Sequence, residues 1–302
     1  MSTALDQYPT FGRLGHLTED QQQQLTEFKT LLTTLNIYDS EKYDDNLLLR
    51  FLRARKFNLE DTKVMFENYH NWRCEFGVDK LISEFEFPEY PVVKKYYPRY
   101  YHKCDKLGRP VYYELVGEID VTQLFKVTTV ERMIQNHVLE YEKLVNYRLP
   151  ACSKKVGRYL EQSTTILDLK GVSISSFSSV YNIVKQISAI SSNYYPEMMG
   201  KMYIINSPFL FTTVWALVKP LLDEVTVNKI HILGYSFKDK LLESIDAENL
   251  PKVYGGNCEC EKGCQNSDLG PWNDGSVEGY PKKEFERFNI QFDMGQSQKF
   301  KE

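Results

Sequence analysis

The feature that most constrains the fold is an alternation of short apolar segments with helical patterns between Thr164 and Gly234. Three segments, at 164–170, 201–206 and 229–234, are rich in Ile, Leu and Tyr and are bounded by Gly, Ser or Pro, which is typical of buried strands. The first two are joined by a stretch with apolar residues at three- and four-residue spacing, which predicts an amphipathic helix. Strands that alternate with helices predict a mostly parallel sheet with right-handed crossovers, and therefore an α/β fold.

The connection between the second and third strands, at 208–222, is apolar on almost every side. Such a helix is buried between partners or faces something other than water, and it is shorter than the roughly 20 residues that span a bilayer. Two hypotheses stay open: a core helix packed on both sides, or a lid whose inner face lines an apolar cavity and whose outer face touches a membrane. The residues on which the lid hypothesis depends are Phe209, Phe211, Val214, Trp215, Val218 and Leu222.

The first 80 or so residues predict an all-helical unit. Thr18 followed by Gln21 is a capping-box pattern that begins one helix, and another begins near Asp45. A hairpin-like segment follows later, with Gly108 at its turn and a strand from Pro110. Near the C-terminus the composition shifts to Cys, Gly, Asp, Asn and Glu, which favours an extension packed on the surface. The predicted domains are 1–85, 86–256 and 257–302.

Composition limits the partners and the compartment. The chain has 42% hydrophobic and 26% charged residues, which is ordinary for a globular protein, and its net charge of −4 argues against nucleic acid as the main partner. No hydrophobic signal region follows Met1, and no apolar run reaches membrane-spanning length. We therefore expect a cytosolic protein whose six cysteines are reduced thiols.

The search for catalytic and metal motifs is mostly negative. The sequence contains no G-x-S-x-G, Walker loop or H-E-x-x-H pattern, and its five histidines stand singly. We expect no enzymatic activity, no catalytic residues and no cofactor. Cys258, Cys260 and Cys264 form C-x-C-x-x-x-C, whose thiolates could bind zinc, but a structural zinc site needs four ligands and the sequence shows no fourth. On this basis the prediction is that there is no metal site.

Polar groups near the apolar stretch suggest a phosphate site. Thr226 and Lys229 follow the stretch directly, and together they offer a hydrogen bond and a point charge to a phosphate, with Asp223 in the same turn. The basic cluster in RFLRARKF fits either a headgroup site or a solvated helix face. Hydroxyls and aromatic rings at predicted strand and helix ends suit a choline headgroup through cation–π contact and phosphate hydrogen bonds. These residues are Ser163, Thr164, Thr165, Ser191, Tyr194 and Tyr195.

Six segments point together to one lipid-binding family. They are LLRFLRARKF (48–57), DKLGRPVYYE (105–114), YRLPACS (147–153), ILDLKGVSISS (166–176), NYYPEMMGKMYIINSP (193–208) and LLDEVTVNKIHILG (221–234). Their combination and order resemble the CRAL-TRIO lipid-binding family, and within it the fungal phosphatidylinositol/phosphatidylcholine transfer proteins. The resemblance runs from about residue 15 to the GPWND segment at 270–274.

The resemblance implies a helical N-terminal subdomain, followed by an α/β lipid-binding domain with a mostly parallel sheet and a mobile gate helix at 208–222. The residues it implies for the phosphatidylinositol headgroup are Arg55, Lys56, Glu197, Thr226 and Lys229, to which we add Asp223 from the turn described above. The residues it implies for the phosphatidylcholine headgroup are Tyr101, Tyr112, Ser163, Thr165, Ser191 and Tyr195. One departure is Met198, which stands where the family usually has Arg and which cannot make a charged contact.

The function implied is exchange of one phosphatidylinositol or phosphatidylcholine molecule, which presents phosphatidylinositol for phosphorylation in Golgi secretory trafficking. We expect a monomer in the cytoplasm that contacts Golgi or endosomal membrane surfaces transiently, with a functional link to phosphatidylinositol kinases and no nucleic-acid partner. Two alternatives stay open. One is a carrier of another hydrophobic ligand, such as a sterol, tocopherol or a squalene-like lipid, and the other is an interaction module that regulates GTPases.

Overall fold

The computed structural model describes residues 8–172, 174–208, 211, 215–216, 219, 222 and 224–283. The chain divides into two compact units, one formed by 1–85 with 185–198 and the other by 86–184 with 199–302. A division after residue 85 agrees with the change from an all-helical to an α/β pattern. The grouping of 185–198 with the N-terminal unit differs from the predicted domains, which placed this segment in the lipid-binding domain.

The N-terminal part of the first unit contains four consecutive helices within the described residues. They are α1 (Glu19–Thr34), α2 (Asp45–Ala54), α3 (Leu59–Phe76) and α4 (Val78–Glu84). The predicted capping box is confirmed: the Thr18 hydroxyl accepts a hydrogen bond from the Gln21 amide, and the Gln21 side chain accepts one from the Thr18 amide. Apolar residues at helical spacing on α1, α2 and α3 form one buried core, in which Phe51 and Phe66 meet edge to face at 5.0 Å.

The second unit contains the sheet and the remaining helices. The helices are α5 (Tyr90–Tyr96), α6 (Val121–Val127), α7 (Val130–Lys143), α8 (Leu149–Val156), α9 (Ile174–Tyr194, which continues into the first unit), α10 (Glu224–Asn228), α11 (Lys238–Ser244) and α12 (Cys264–Ser267). Short 3₁₀ segments lie at Val116–Glu118 and Lys252–Tyr254, and a π-helical turn at Leu144–Arg148 joins α7 to α8.

The sheet has five strands in sequence order. They are β1 (Arg99–Cys104), β2 (Pro110–Leu115), β3 (Ser163–Asp168), β4 (Met199–Ile205) and β5 (Ile230–Ile232). The β1–β2 pair is antiparallel and the other three pairs are parallel, so the predicted mostly parallel sheet is confirmed. The predicted hairpin is β1–β2, and its turn has Gly108 at φ +83°, a left-handed conformation that favours glycine.

One face of the sheet is packed as the core of the second unit. Tyr100, Tyr113, Ile166 and Tyr203 lie side by side in register across β1 to β4. The rings of Tyr100 and Tyr113 stack at 4.9 Å. Apolar residues from α11 and from the segment after it cover this row, so its four residues are buried. The covering residues include Leu241, Ile245, Leu250 and Tyr254.

The predicted gate helix falls largely on residues that the structure does not describe. Phe209, Val214 and Val218 lie outside the described residues, and so does Asp223 of the predicted phosphate site. The described members Phe211, Trp215 and Leu222 are half-buried. Among the described helices, none combines the length and the apolar composition needed to cross a bilayer.

Candidate functional site

The second face of the sheet is less buried and contains four predicted phosphocholine residues. Tyr101, Tyr112 and Thr165 stand opposite one another in register across β1, β2 and β3. Side chains of one register row emerge on the same face, and Ser163 shares that face because it precedes Thr165 by two positions. Sequence-predicted residues from three strands are therefore brought together on one surface.

This face changes character from one edge to the other. Beyond Thr165 the same row continues with Met202 on β4 and Ile230 on β5, both half-buried. In the adjacent row, Leu167 on β3 is also followed by aliphatic side chains on β4 and β5. The face is thus aromatic and hydroxylated over β1 to β3 and aliphatic over β3 to β5. A ligand with one polar end and one apolar end would match the two parts of this sheet face.

The two tyrosines of the row are paired and stay protonated. Their ring centroids lie 5.0 Å apart at a tilt of 47°. Burial raises the pKa of Tyr101 and the pKa of Tyr112 far above the usual range of a phenol. Both hydroxyls therefore remain hydrogen-bond donors at physiological pH, and the rings offer aromatic faces to a quaternary ammonium group.

A buried charge cluster that the sequence analysis missed lies against Tyr101. The Arg148 guanidinium is 4.2 Å from the Tyr101 ring centroid and pairs with Glu140 at 3.1 Å and Asp268 at 3.4 Å. Burial alone would raise the pKa of Glu140, but the positive charges of Lys143 and Arg148 outweigh burial and lower it to about 2. Burial raises the pKa of Asp268 despite the nearby guanidinium. Charges on a helix are usually solvated, so nothing in the sequence pointed to this cluster.

A second charged group that the sequence analysis did not identify lies in the next register row on the same sheet face as Tyr101. Arg99 on β1 stands opposite Glu114 on β2, and the Tyr97 hydroxyl donates a hydrogen bond to Glu114. The Arg99 side chain is buried against the ring of Tyr97, at 4.7 Å from its centroid. Within the described part of the chain, its Nη2 atom has no hydrogen-bond partner. An unsatisfied buried guanidinium donor is costly, and an anion bound on this face would relieve that cost.

The basic residues predicted for the inositol phosphate lie at the C-terminal end of α2. Arg55 is half-buried and lines a groove of about 560 Å³ in the first unit, together with Asn68 and Trp72. Lys56 is exposed and has φ +51°, a left-handed conformation that is costly for a side chain of this type. The neighbouring Arg53 does not lie on a solvated helix face, because it is buried and donates to the Gly12 carbonyl at 2.8 Å.

The other predicted residues of the first unit lie at the C-terminal end of α9 and just after it. Tyr195 is buried and meets the Trp72 ring edge to face at 6.0 Å, while the Ser191 hydroxyl donates to the Ile187 carbonyl. Glu197 has φ +61°, a second left-handed non-glycine residue among the predicted headgroup residues. Backbone strain of this kind costs about 1–3 kcal/mol and tends to occur at functional sites. Met198, the departure from the family pattern, is buried.

Thr226 and Lys229 lie together at the start of β5. The Lys229 amide donates to the Thr226 carbonyl at 3.1 Å, which closes the last turn of α10. The Lys229 carbonyl in turn accepts from the Met202 amide at 2.9 Å, so the position of Lys229 is fixed by β4. Both side chains are half-buried. The backbone thus holds Thr226 and Lys229 one helical turn apart at the end of α10.

The three C-terminal cysteines lie together with His102 of β1. Ligand atoms of His102, Cys258, Cys260 and Cys264 are all within 4.8 Å of one another. Burial lowers the pKa of His102 to about 4, so the imidazole is neutral, and burial raises the pKa of Cys264 to about 12. The sequence spacing of the cysteines could not identify His102 as the fourth member of this cluster, because His102 lies 156 positions before Cys258.

Comparison with family models gives two matches. The model described as "CRAL/TRIO domain" matches residues 94–256, and the model described as "CRAL/TRIO, N-terminal domain" matches residues 14–68. The chain is also similar to a solved structure titled "Crystal structure of Sfh5", with a TM-score of 0.64 and 19% identity, covering 91% of this chain and 97% of that one. A likeness at this identity concerns the fold alone.

Similar curated proteins come from fungi and from a plant. "SEC14 cytosolic factor" of Kluyveromyces lactis is 54% identical over 266 residues, which are 87% of this chain and 88% of that protein. "Sec14 cytosolic factor" of Schizosaccharomyces pombe is 51% identical over 278 residues, 90% and 96% of the two chains. "Phosphatidylinositol/phosphatidylcholine transfer protein SFH4" of Arabidopsis thaliana is 43% identical over 256 residues, 84% of this chain and 42% of that protein.

Proposed function

Since the chain belongs to the CRAL/TRIO family, we propose that it is a phospholipid transfer protein that exchanges phosphatidylinositol and phosphatidylcholine between membranes. The observation on which the proposal depends is the division of one sheet face into an aromatic, hydroxylated part and an aliphatic part. Tyr101, Tyr112 and Thr165 would hold phosphocholine, with the rings on the ammonium and the hydroxyls on the phosphate. The aliphatic part over β3 to β5 would contact the acyl chains.

The energetics of the cargo require a closed carrier. Two acyl chains of roughly 16 carbons, at about 0.8 kcal/mol per methylene, would cost on the order of 25 kcal/mol if exposed to water. A carrier therefore needs a dry cavity and an opening that is stable only at a membrane. In the proposal the apolar segment 208–222 is the gate. A bilayer favours its open state because the exposed lining then meets hydrocarbon instead of water.

The phosphatidylinositol headgroup would use a second set of residues. Lys229 offers a charge to the phosphate and Thr226 a hydroxyl, and both are held at the start of β5. The family resemblance adds Arg55, Lys56 and Glu197 to this set, and the backbone of Lys56 and of Glu197 is left-handed. The full proposed set is Arg55, Lys56, Glu197, Asp223, Thr226 and Lys229. Two headgroup sets with one acyl space would make the two lipids compete, which is the basis of exchange.

The cellular role in this proposal follows the relatives, which are named as cytosolic factors and as transfer proteins rather than as enzymes. The protein would act as a cytosolic monomer that associates with Golgi membranes for the duration of lipid exchange. Delivery of phosphatidylinositol to its kinases would link it to secretory trafficking. No catalytic step is part of the proposal.

The test is vesicle-to-vesicle transfer of both lipids by the full chain and by three variants. Lys229→Ala should lose phosphatidylinositol transfer about tenfold or more, since hydrogen bonds to charged groups contribute about 1.5–3 kcal/mol, and should keep phosphatidylcholine transfer. Thr165→Val should lose phosphatidylcholine transfer and should keep phosphatidylinositol transfer. Lys240→Ala is the control, because Lys240 is a partly exposed lysine on α11 that pairs with Glu243 one turn along the same helix, and its loss should leave both activities unchanged.

Three outcomes would contradict the proposal. If Lys229→Ala lowered the transfer of both lipids equally, Lys229 could not be assigned to the inositol phosphate. Transfer of a sterol or tocopherol but of neither phospholipid would favour the alternative cargo. Protein purified from its native cells that carries no lipid in native mass spectrometry would favour an interaction module.

A further inference from the structure

The strongest unexplained feature of the second unit is the cluster of His102 with the three C-terminal cysteines. The His102 Nε2 atom lies 3.3 Å from the Cys258 Sγ atom, which lies 3.9 Å from the Cys260 Sγ atom. The Cys264 Sγ atom completes a group of four ligand atoms within 4.8 Å of one another. All three cysteines are free thiols, and His102 and Cys258 are buried.

We propose that His102, Cys258, Cys260 and Cys264 bind one structural zinc ion. Ligand atoms at about 2.0–2.3 Å from a tetrahedral zinc ion lie about 3.6–3.8 Å apart and at most about 4.6 Å apart. The measured separations of 3.3 Å and 3.9 Å lie within about 0.3 Å of this requirement, and no other pair of these ligand atoms is more than 4.8 Å apart. Three thiolates and an imidazole are a set that zinc uses in closed structural sites. On binding, the three thiols release their protons to solvent.

The imidazole is already oriented as a ligand. The Ser267 hydroxyl donates its single proton to the Cys264 carbonyl at 2.9 Å. Its oxygen must therefore accept from His102 Nδ1 at 2.9 Å, which assigns the proton of the ring to Nδ1. The lone pair is then on Nε2, the nitrogen that faces the sulfur of Cys258. A hydrogen bond that fixes the tautomer of a ligating histidine is typical of metal sites.

The site would fasten the C-terminal segment to the edge of the sheet. His102 lies on β1, which is an edge strand, and the three cysteines lie beyond the part of the chain that the CRAL/TRIO model matches. The Lys103 amide already donates to the Leu269 carbonyl at 2.6 Å, so the segment covers an edge that would otherwise expose backbone groups. Four protein ligands leave no open position for substrate, which makes the role structural rather than catalytic.

The test is elemental analysis of the full chain, purified under reducing conditions without added metal. We expect about one zinc per chain, and we expect added Co²⁺ to give the visible spectrum of a tetrahedral thiolate site in the stripped protein. Removal of zinc by a chelator should lower the thermal midpoint on the order of 10 °C, and Zn²⁺ but not Mg²⁺ should restore it. These measurements on the wild-type chain do not depend on a variant that folds.

Two variants and a matched control locate the site. Cys264→Ser and His102→Asn should lose zinc, whereas Cys74→Ser should keep it, because Cys74 is an exposed thiol on α3 and does not belong to the cluster. Wild-type protein that contains no zinc and gives no cobalt spectrum would overturn the proposal. An intact mass lower by two hydrogens, which shows a disulfide among the three cysteines, would overturn it as well. So would equal zinc contents in Cys264→Ser and Cys74→Ser.

Discussion

Replacement of the buried Arg148 by methionine is the most direct test of how the second unit supports the row proposed for phosphocholine. Arg148 is almost fully buried, pairs with Glu140 and Asp268, and lies 4.2 Å from the ring centroid of Tyr101. Methionine has a similar length and is apolar, so Arg148→Met removes the charge with little loss of packing. The change therefore isolates the electrostatic contribution of the guanidinium.

The magnitude follows from the partners that remain. Glu140 keeps its contact with Lys143 at 2.7 Å, so its charge is still compensated. Asp268 has no other ion pair among the described residues, and it is buried. Removal of one partner of a buried pair costs about 3–5 kcal/mol, because the other charge is left without compensation. We expect a loss of about 4 kcal/mol, which corresponds to a fall of roughly 8–16 °C in the thermal midpoint of a domain of this size.

The assay is urea denaturation of Arg148→Met, Asp268→Asn and the double variant. If the uncompensated carboxylate is the source of the loss, the double variant should be more stable than Arg148→Met by about 1–2 kcal/mol. Lys154→Met is the control, because Lys154 pairs with Glu278 at 4.0 Å on the surface and should change stability by less than about 0.5 kcal/mol. Additive losses in the double variant would refute the reasoning.

Two further predictions concern acid stability and a close backbone approach. Because the pKa of Glu140 is lowered from 4.5 to about 2, its contribution to stability is complete above pH 4.5 and is lost as the pH falls toward 2; the free energy of unfolding should fall in this range, and more steeply in the wild type than in Glu140→Gln. A Cβ atom at Gly117 would lie 1.8 Å from the Lys170 carbonyl oxygen, so Gly117→Ala should cost more than about 3 kcal/mol in urea denaturation. Gly157→Ala should cost only about 1 kcal/mol, since nothing lies within 4 Å of its Cβ position and only the left-handed φ of +72° opposes it.

Local patterns were sufficient to predict the framework of the fold. The capping box at Thr18, the turn at Gly108 and the strands of the parallel sheet all depend on a few neighbouring residues, and the structure confirms them. Strand periodicity and helix capping depend on residues a few positions apart, so both patterns can be recognised in a single sequence. The grouping of 185–198 with the N-terminal helices was not visible, because it depends on contacts between distant segments.

The row of Tyr101, Tyr112 and Thr165 shows where local reasoning stops. Family resemblance named these residues, but their alignment depends on the register of three strands, and a shift of one residue would turn a side chain to the other face. The pairing of β1 with β2 has an irregularity between Tyr101 and Cys104, so alternation along the strand alone does not predict which residues oppose each other. Only the assembled sheet shows that one row combines aromatic, hydroxyl and aliphatic side chains.

The edge strand β1 connects the two proposals and explains why neither could be completed from spacing alone. Tyr101 and His102 are consecutive, so their side chains point to opposite faces of the sheet. Tyr101 stands in the row proposed for phosphocholine, while His102 stands with the three cysteines. The C-terminal segment contributes on both sides, through the cysteines to His102 and through Asp268 to the arginine beside Tyr101. The segment that its composition predicts as an extension packed on the surface therefore holds in place the strand on which the proposed headgroup contact depends.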